Sequence, residues 1–319
     1  MSGSAPLLGI EADPPPPGAA AQWVTAGDGA RLRVCLVPSA AGVAARGSVV
    51  LSPGRTEPIE KYFETAGLLA GRGFTVLVHD WRGQGLSPRS LGERRLGHAD
   101  GYRPFLDDYE AILGACEARL PRPWLALGHS MGGCLTLLAL VKGERRFAGA
   151  ILSAPMLGLL TGGVPRPAAR LLARLFAALG RKGAPVLGAS VADEPSPFEA
   201  NVLTHDAGRY ARNLALVAAA PDLALGPPTW GWLDFAFAAT DVLARDGAVG
   251  RLDIPVLILA AGEDALVDNA ALARVAARLP QGRLVEIAGA RHEILQETDA
   301  LQAPFWREFD ALADRLAPA

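Results

Sequence analysis

Short, almost continuously apolar runs alternate along the chain with stretches whose apolar positions recur every three or four residues. Residues 47–51 (GSVVL), 74–79 (FTVLVH) and 255–260 (PVLILA) are runs of the first kind, and 31–37, 124–127, 148–152 and 283–287 also read as strands. A strand apolar on both faces belongs in a parallel sheet covered on both sides. Helical spacing marks 59–70, 102–120, 131–141, 269–279 and 301–316, the first closed by Gly71 and Gly73. Strand–helix alternation predicts an α/β fold with a mostly parallel central sheet flanked by helices.

The alternation starts near Trp23 and breaks between about 156 and 246. That interruption reads as helical and strand-free. It has an amphipathic helix at 167–179, with Leu171, Leu172, Leu175, Phe176 and Leu179 on one side. A Pro/Ser-rich stretch at 193–198, a helix at 206–220 and an aromatic cluster at Trp230, Trp232, Phe235 and Phe237 follow. The expected organisation is a flexible lead-in over 1–20, a core of 21–155 and 247–319, and an inserted helical cap over 156–246. Pro14–Pro17 give the lead-in its polyproline-like character.

Composition narrows the function. Half the residues are hydrophobic and a fifth charged, which excludes disorder. Thirty-one Lys and Arg against thirty-three Asp and Glu leave a net charge of −2, so no global field attracts nucleic acid. Cys35, Cys116 and Cys134 have no metal-ligand spacing and form no even disulfide set. The N-terminus lacks a basic leader, and no run approaches the ~18 apolar residues of a membrane span. A cytoplasmic protein is the expectation.

The segment WLALGHSMGG carries the chemistry. Gly128-His129-Ser130-Met131-Gly132 falls directly after a strand and before a helix. A serine on that sharp turn is lifted clear of the sheet, and flanking glycines let the chains pass closely. Such a serine needs a base. Of five histidines, His292 lies on the loop before the final helix, where the order Ser…acid…His places it. The orienting carboxylate comes from ILAAGEDALVD. Asp264 sits in the loop and is assigned; Asp268, the rival, reads as the cap of the next helix. Two backbone N–H groups, of Met131 and Arg55, are the candidate oxyanion hole. Arg55 and Glu57 read either as pocket residues or as a solvated pair. Gly83-Gln84-Gly85 lacks a third glycine, and His292-Glu293 lacks a second histidine, so neither a dinucleotide nor a zinc motif exists. No metal or organic cofactor is expected.

With these residues in place the chain resembles the α/β-hydrolases. SPGRTEPIEKYFE (52–64), HDWRGQGLSPR (79–89), GHSMGG (128–133), SAPMLG (153–158), NVLTHDAGRYARN (201–213) and GARHEILQE are similar to the lysophospholipase L2 and monoacylglycerol lipase branch. The resemblance spans nearly everything after residue 21 and implies a serine hydrolase of single-chain lipid esters. One departure is Pro53-Gly54, where many lipases have His-Gly. Asp80 and Arg82 match the family's D-x-R-G-x-G-x-S turn and read as a structural brace. The cap leucines are expected to wall an acyl pocket, with transient peripheral membrane contact through their edge. A small-ester esterase or peptidase, an acyltransferase, and a non-catalytic ligand-binding protein stay open on sequence alone.

Overall fold

In the computed structural model, which describes residues 2–191, 196–245, 247 and 249–318, the strands form a single nine-stranded sheet. They are β1 (Ser2–Ser4), β2 (Ala20–Thr25), β3 (Arg31–Val37), β4 (Gly47–Ser52), β5 (Phe74–His79), β6 (Trp124–His129), β7 (Phe147–Ser153), β8 (Val256–Ala261) and β9 (Gly282–Ile287). Their spatial order is β1-β2-β3-β5-β4-β6-β7-β8-β9. The first three pairings are antiparallel, and β5 through β9 run parallel.

Every residue of β4, β6 and β8 is buried, as the continuous apolar runs demand of strands with both faces covered. The helices are α1 (Phe63–Ala70), α2 (Arg103–Cys116), α3 (Ser130–Lys142), α4 (Arg166–Ala178), α5 (Ala207–Ala219), α6 (Trp230–Ala244), α7 (Asn269–Ala276) and α8 (Asp299–Leu316). One core cluster joins the sheet to α2, α3 and α6; another joins it to α1 and α8. The edge strand β9 is mostly exposed and carries Arg283 and Glu286, charges that discourage further strand pairing.

Several expectations change. The 1–20 segment is not a free lead-in: β1 pairs with β2, Ala5 is buried, and Arg33 Nη1 donates to Pro6 O. The aromatic cluster at 230–237 begins a full helix, α6, capped by Thr229, whose hydroxyl accepts from Trp232 N–H at 3.2 Å. Helix α7 stops at Ala276 rather than 279, and a 3₁₀ turn precedes α1. The helical insertion leaves after β7 and returns into β8. Residues 193–195 and Asp246, the expected end of the insertion, lie outside the described residues.

Within the insertion, α6 packs between α3 and α4. Phe235, Ala236, Ala239 and Leu243 join the main core, while Trp230 and Phe237 join Ala169 and Ala173 of α4. This gives α4 a firm seat but covers only one of its sides.

Candidate active site

The sharp turn from β6 into α3 holds Ser130 at φ 49°, a left-handed backbone that costs a non-glycine residue energy and persists because its surroundings enforce it. The two flanking glycines allow the approach. A Cβ on Gly132 would stand 2.1 Å from Ser52 O, and one on Gly128 would stand 2.7 Å from Gly133 Cα. Ser130, Asp264 and His292 all follow the carboxyl ends of parallel strands β6, β8 and β9, where open α/β sheets place their sites.

The structure brings these three together. His292 Nδ1 lies 2.7 Å from Asp264 Oδ2, and His292 Nε2 lies 2.9 Å from Ser130 Oγ. A carboxylate only accepts, so Nδ1 carries the proton and Nε2 is left to accept from the serine hydroxyl. Asp264 Oδ1 accepts from the N–H groups of Leu266 and Val267 at 2.8 and 2.9 Å. Burial alone would raise the Asp264 pKa, but His292 and these two N–H donors outweigh it and hold the carboxyl below its usual range. Asp268, by contrast, accepts from Ala270 N–H at 2.9 Å at the start of α7 and pairs with Arg274.

The loop after β4 is strapped down by side chains. Trp81 Nε1 donates to Pro53 O at 2.8 Å, Gln84 Nε2 donates to Gly54 O at 2.9 Å, and Gln84 Oε1 accepts from Thr56 N–H at 2.9 Å. Gly54 N–H is taken by Glu57 Oε2. Arg55 N–H has no acceptor among the described residues and stays available. Met131 N–H lies in the first turn of α3, where the helix supplies no partner. The Arg55 guanidinium donates to Gly226 O and stands 5.3 Å over the Trp232 ring, tying this loop to the insertion.

Arg55 and Glu57 therefore form no pair with each other. Glu57 joins a buried cluster: Lys61 Nζ donates to Glu57 Oε1 at 2.9 Å and to Glu293 Oε1 at 2.6 Å, and Tyr62 O–H donates to Glu57 Oε2. Burial would raise Glu57, yet Lys61, His129 and Tyr62 hold it down to about 2, so it is a carboxylate at neutral pH. The His129 side chain turns in beside His292. Nδ1 donates to Ser153 O at 3.1 Å, and the ring lies 4.9 Å from that of His292. Burial pulls its pKa down to about 4, despite Glu57 3.7 Å away, so it is neutral there.

Asp80 accepts from Arg33 Nε, Ile59 N–H and Leu86 N–H, while Arg82 pairs with Asp108 and Asp28. Both brace the loops beneath the site. Sequence reasoning missed Lys61, Gln84 and Glu293. The four-residue spacing of Glu57 and Lys61 could have signalled the first; nothing in the pattern marks the other two.

A cavity of about 650 Å³ opens over Ser130 and His292. Glu57, His129 and Glu293 make its polar side. Leu159, Leu160, Val164, Leu172, Val186, Trp230, Trp232 and Leu266 are among its apolar lining. The α4 leucines do not wall it as expected: only Ala169 and Leu172 from that helix reach it, and Leu171, Leu175 and Leu179 face solvent. Among the described residues no cluster of potential metal ligands occurs.

Residues 43–299 match the family described as serine aminopeptidase, S33. Lysophospholipase L2 of Escherichia coli (strain K12) is 36% identical over 266 residues, covering 80% of this chain and 76% of that one. Probable lysophospholipase L2 of Haemophilus influenzae is 31% identical over 257 residues, covering 80% of each. A soluble variant of monoglyceride lipase from Saccharomyces cerevisiae, solved with a substrate analog, superposes with a TM-score of 0.76. It is 22% identical and covers 93% of this chain and 96% of its own. That likeness shows a shared fold.

Proposed function

The chain belongs to the serine aminopeptidase S33 family, and from that premise we propose that it hydrolyses carboxylic esters of single-chain lipids, lysophospholipid or monoacylglycerol, through an acyl-enzyme on Ser130. The observation that carries this reading is the hydrogen-bonded chain from Asp264 through His292 to Ser130 beneath a largely apolar cavity. The relatives' names point the same way.

In this reading Ser130 Oγ attacks the ester carbonyl carbon while His292 Nε2 takes its proton. Asp264 holds the reactive tautomer and stabilises the imidazolium. The N–H groups of Arg55 and Met131 hold the oxyanion. As the tetrahedral adduct collapses, His292 protonates the leaving alcohol. Water, deprotonated by His292, then attacks the acyl-enzyme and releases the fatty acid. The apolar lining takes the acyl chain, and the side of Glu57, His129 and Glu293 faces the alcohol. An amino-terminal peptide would need a free carboxylate for its ammonium, whereas Glu57 and Glu293 are both engaged by Lys61. This favours an ester.

Residues 21–155 and 247–319 serve as the hydrolase core in this account, with 156–246 as its lid. The chain works from the cytoplasm, where its three free, buried thiols stay reduced, and it touches membrane only peripherally. No described helix is long and apolar enough to cross one.

Hydrolysis of lysophosphatidylcholine and of monoacylglycerol should be assayed for the unsubstituted chain and for Ser130→Ala. The serine variant should fall by several orders of magnitude on whichever lipid is cleaved, keeping only the roughly 10³–10⁴ over water that binding and the oxyanion hole supply in well-studied triads. Equal rates in both proteins would reject the acyl-enzyme, and cleavage of neither lipid would reject the substrate class.

A further inference from the structure

The loop that carries His292 is held by a carboxylate with no part in the hydrolytic steps. Glu297, fully buried, follows the short 3₁₀ turn Ile294–Gln296. Its Oε1 accepts from the N–H of Arg291, the residue before His292, at 2.8 Å. The same carboxylate grips the insertion: Oε1 accepts from His205 Nδ1 and Oε2 from His205 N–H, each at 2.8 Å. Glu293, the residue after His292, donates its N–H to Leu203 O at 2.8 Å, and Arg291 Nη1 donates to Thr204 O at 3.1 Å. Both chain neighbours of the base are therefore fixed by partners that belong, or lead, to the insertion segment 203–205. That segment is itself tied down. Asn201 Oδ1 accepts from Leu203 N–H and Thr204 N–H, and the buried Thr204 hydroxyl donates to Gln296 O at 2.7 Å.

The His205 ring also reaches the loop of the acid. His205 Nε2 stands 3.5 Å from Oε2 of Glu263, the residue before Asp264, and Glu263 N–H donates to Ala290 O at 2.8 Å. One imidazole of the insertion thus lies between a carboxylate beside Asp264 and a carboxylate that holds the backbone before His292. A brace serving stability alone could sit anywhere on this part of the insertion, as Arg212 does where it pairs with Glu64 of α1. This one closes on the two loops whose separation sets the 2.7 Å contact between Asp264 and His292. The segment NVLTHDAGRYARN, which takes no part in the hydrolytic steps, supplies the insertion's half of it.

We propose that Glu297 and His205 are positioning residues for the catalytic base, so that the insertion supplies part of the frame that sets His292 against Asp264 and Ser130. The inference rests on the proposed triad and adds no step to it. The geometry it protects is narrow, since a misplacement of about 1 Å costs on the order of a hundredfold in rate. Glu297→Gln is the discriminating change. Each carboxylate oxygen accepts a backbone N–H, so an amide in either orientation turns a donor against a donor and releases one of the two segments.

The test is kcat and KM for soluble p-nitrophenyl butyrate, beside the low-field proton resonance of the His292 Nδ1–H held by Asp264, assigned by its loss in His292→Ala. Glu297→Gln should lower kcat on the order of a hundredfold with KM little changed, and should weaken or broaden the resonance. His205→Ala should do the same to a smaller extent. His205→Asn, whose amide sets an N–H donor where Nδ1 stood, should recover most of that loss. Arg212→Gln frees α5 from Glu64 without touching 201–205 or the His292 loop; it should lower thermal stability and keep both kcat and the resonance.

Unchanged kcat and resonance in Glu297→Gln, or a loss confined to KM, overturns the inference. So does an equal kcat loss in Arg212→Gln, which would make the effect a general loosening of the fold. Should Glu297→Gln fail to fold, the His205 pair decides, and equal rates in the Ala and Asn variants reject the hold. The resonance reports the ring whether or not an ester is cleaved. Absence of Ser130-dependent turnover in the unsubstituted chain would therefore sink the hydrolytic reading and leave the resonance to decide on Glu297.

Discussion

Helices α3 and α4 are both thirteen residues long and both rich in leucine, yet ten residues of α3 are buried and only two of α4. The difference lies in what surrounds each. Helix α3 is apolar on all sides and sits between the sheet and α6, a position that holds the Ser130 turn against a packed core. Helix α4 has a row of arginines on one flank and so cannot be enclosed; it closes only its alanine side. The two helices thus divide the work of one proposed enzyme. Chemistry needs groups fixed to fractions of an ångström, and delivery of a lipid needs an apolar face left open.

Substitutions around the elbow should break this division most severely. Asp264→Asn should lower kcat by roughly 10⁴, because the amide cannot stabilise the imidazolium and favours the wrong tautomer. Asp268→Asn, at the cap of α7, should cost about 1 kcal/mol of stability or less and little turnover. Steady-state kinetics beside thermal unfolding separates the two, and similar kinetic losses would mean the carboxylates were misassigned.

Gln84 tests the platform one step further from the reacting atoms. Gln84→Ala frees both Gly54 O and Thr56 N–H, on either side of the Arg55 N–H. The expected loss is roughly 10², bounded by the 10²–10³ that removal of one oxyanion donor costs. It should fall on kcat rather than KM. A pure KM effect would place the loop in substrate binding instead.

Smaller effects belong to the insertion. Catalytic efficiency on p-nitrophenyl esters should rise well over tenfold from acetyl to octanoyl, since each buried methylene contributes about 0.8 kcal/mol before losses to micelles. A flat series would leave a small-ester hydrolase. Leu172→Ser, in the cavity lining, should reduce the octanoyl rate severalfold, while Leu171→Ser, its solvent-facing neighbour, should leave it unchanged. Equal losses at both positions would mean that α4 turns differently in solution.

The same pair of helices shows how far the sequence could be read. Strand runs such as 74–79 and 255–260 announce a parallel sheet because a strand buried on both faces has no alternative composition. GHSMGG and the loops bearing Asp264 and His292 were legible because each follows a strand end. The direction of α4 was not. Helical periodicity marks an apolar face without saying whether protein, lipid or water lies against it. Helix α6 escaped for the opposite reason: Trp230, Phe235, Phe237 and their alanines are apolar on all sides, so no period stands out. The N-terminal strand, Ser-Gly-Ser, has no strand propensity of its own and forms because β2 offers an edge.

The central claim, that Ser130 is a nucleophile activated by His292 and Asp264, is tested most directly by peptide mass mapping after exposure to a fluorophosphonate. The account predicts one adduct, on the peptide carrying Ser130, absent in Ser130→Ala and formed far more slowly in His292→Ala and Asp264→Asn. An adduct on another residue, or labelling indifferent to the histidine and the aspartate, would contradict it.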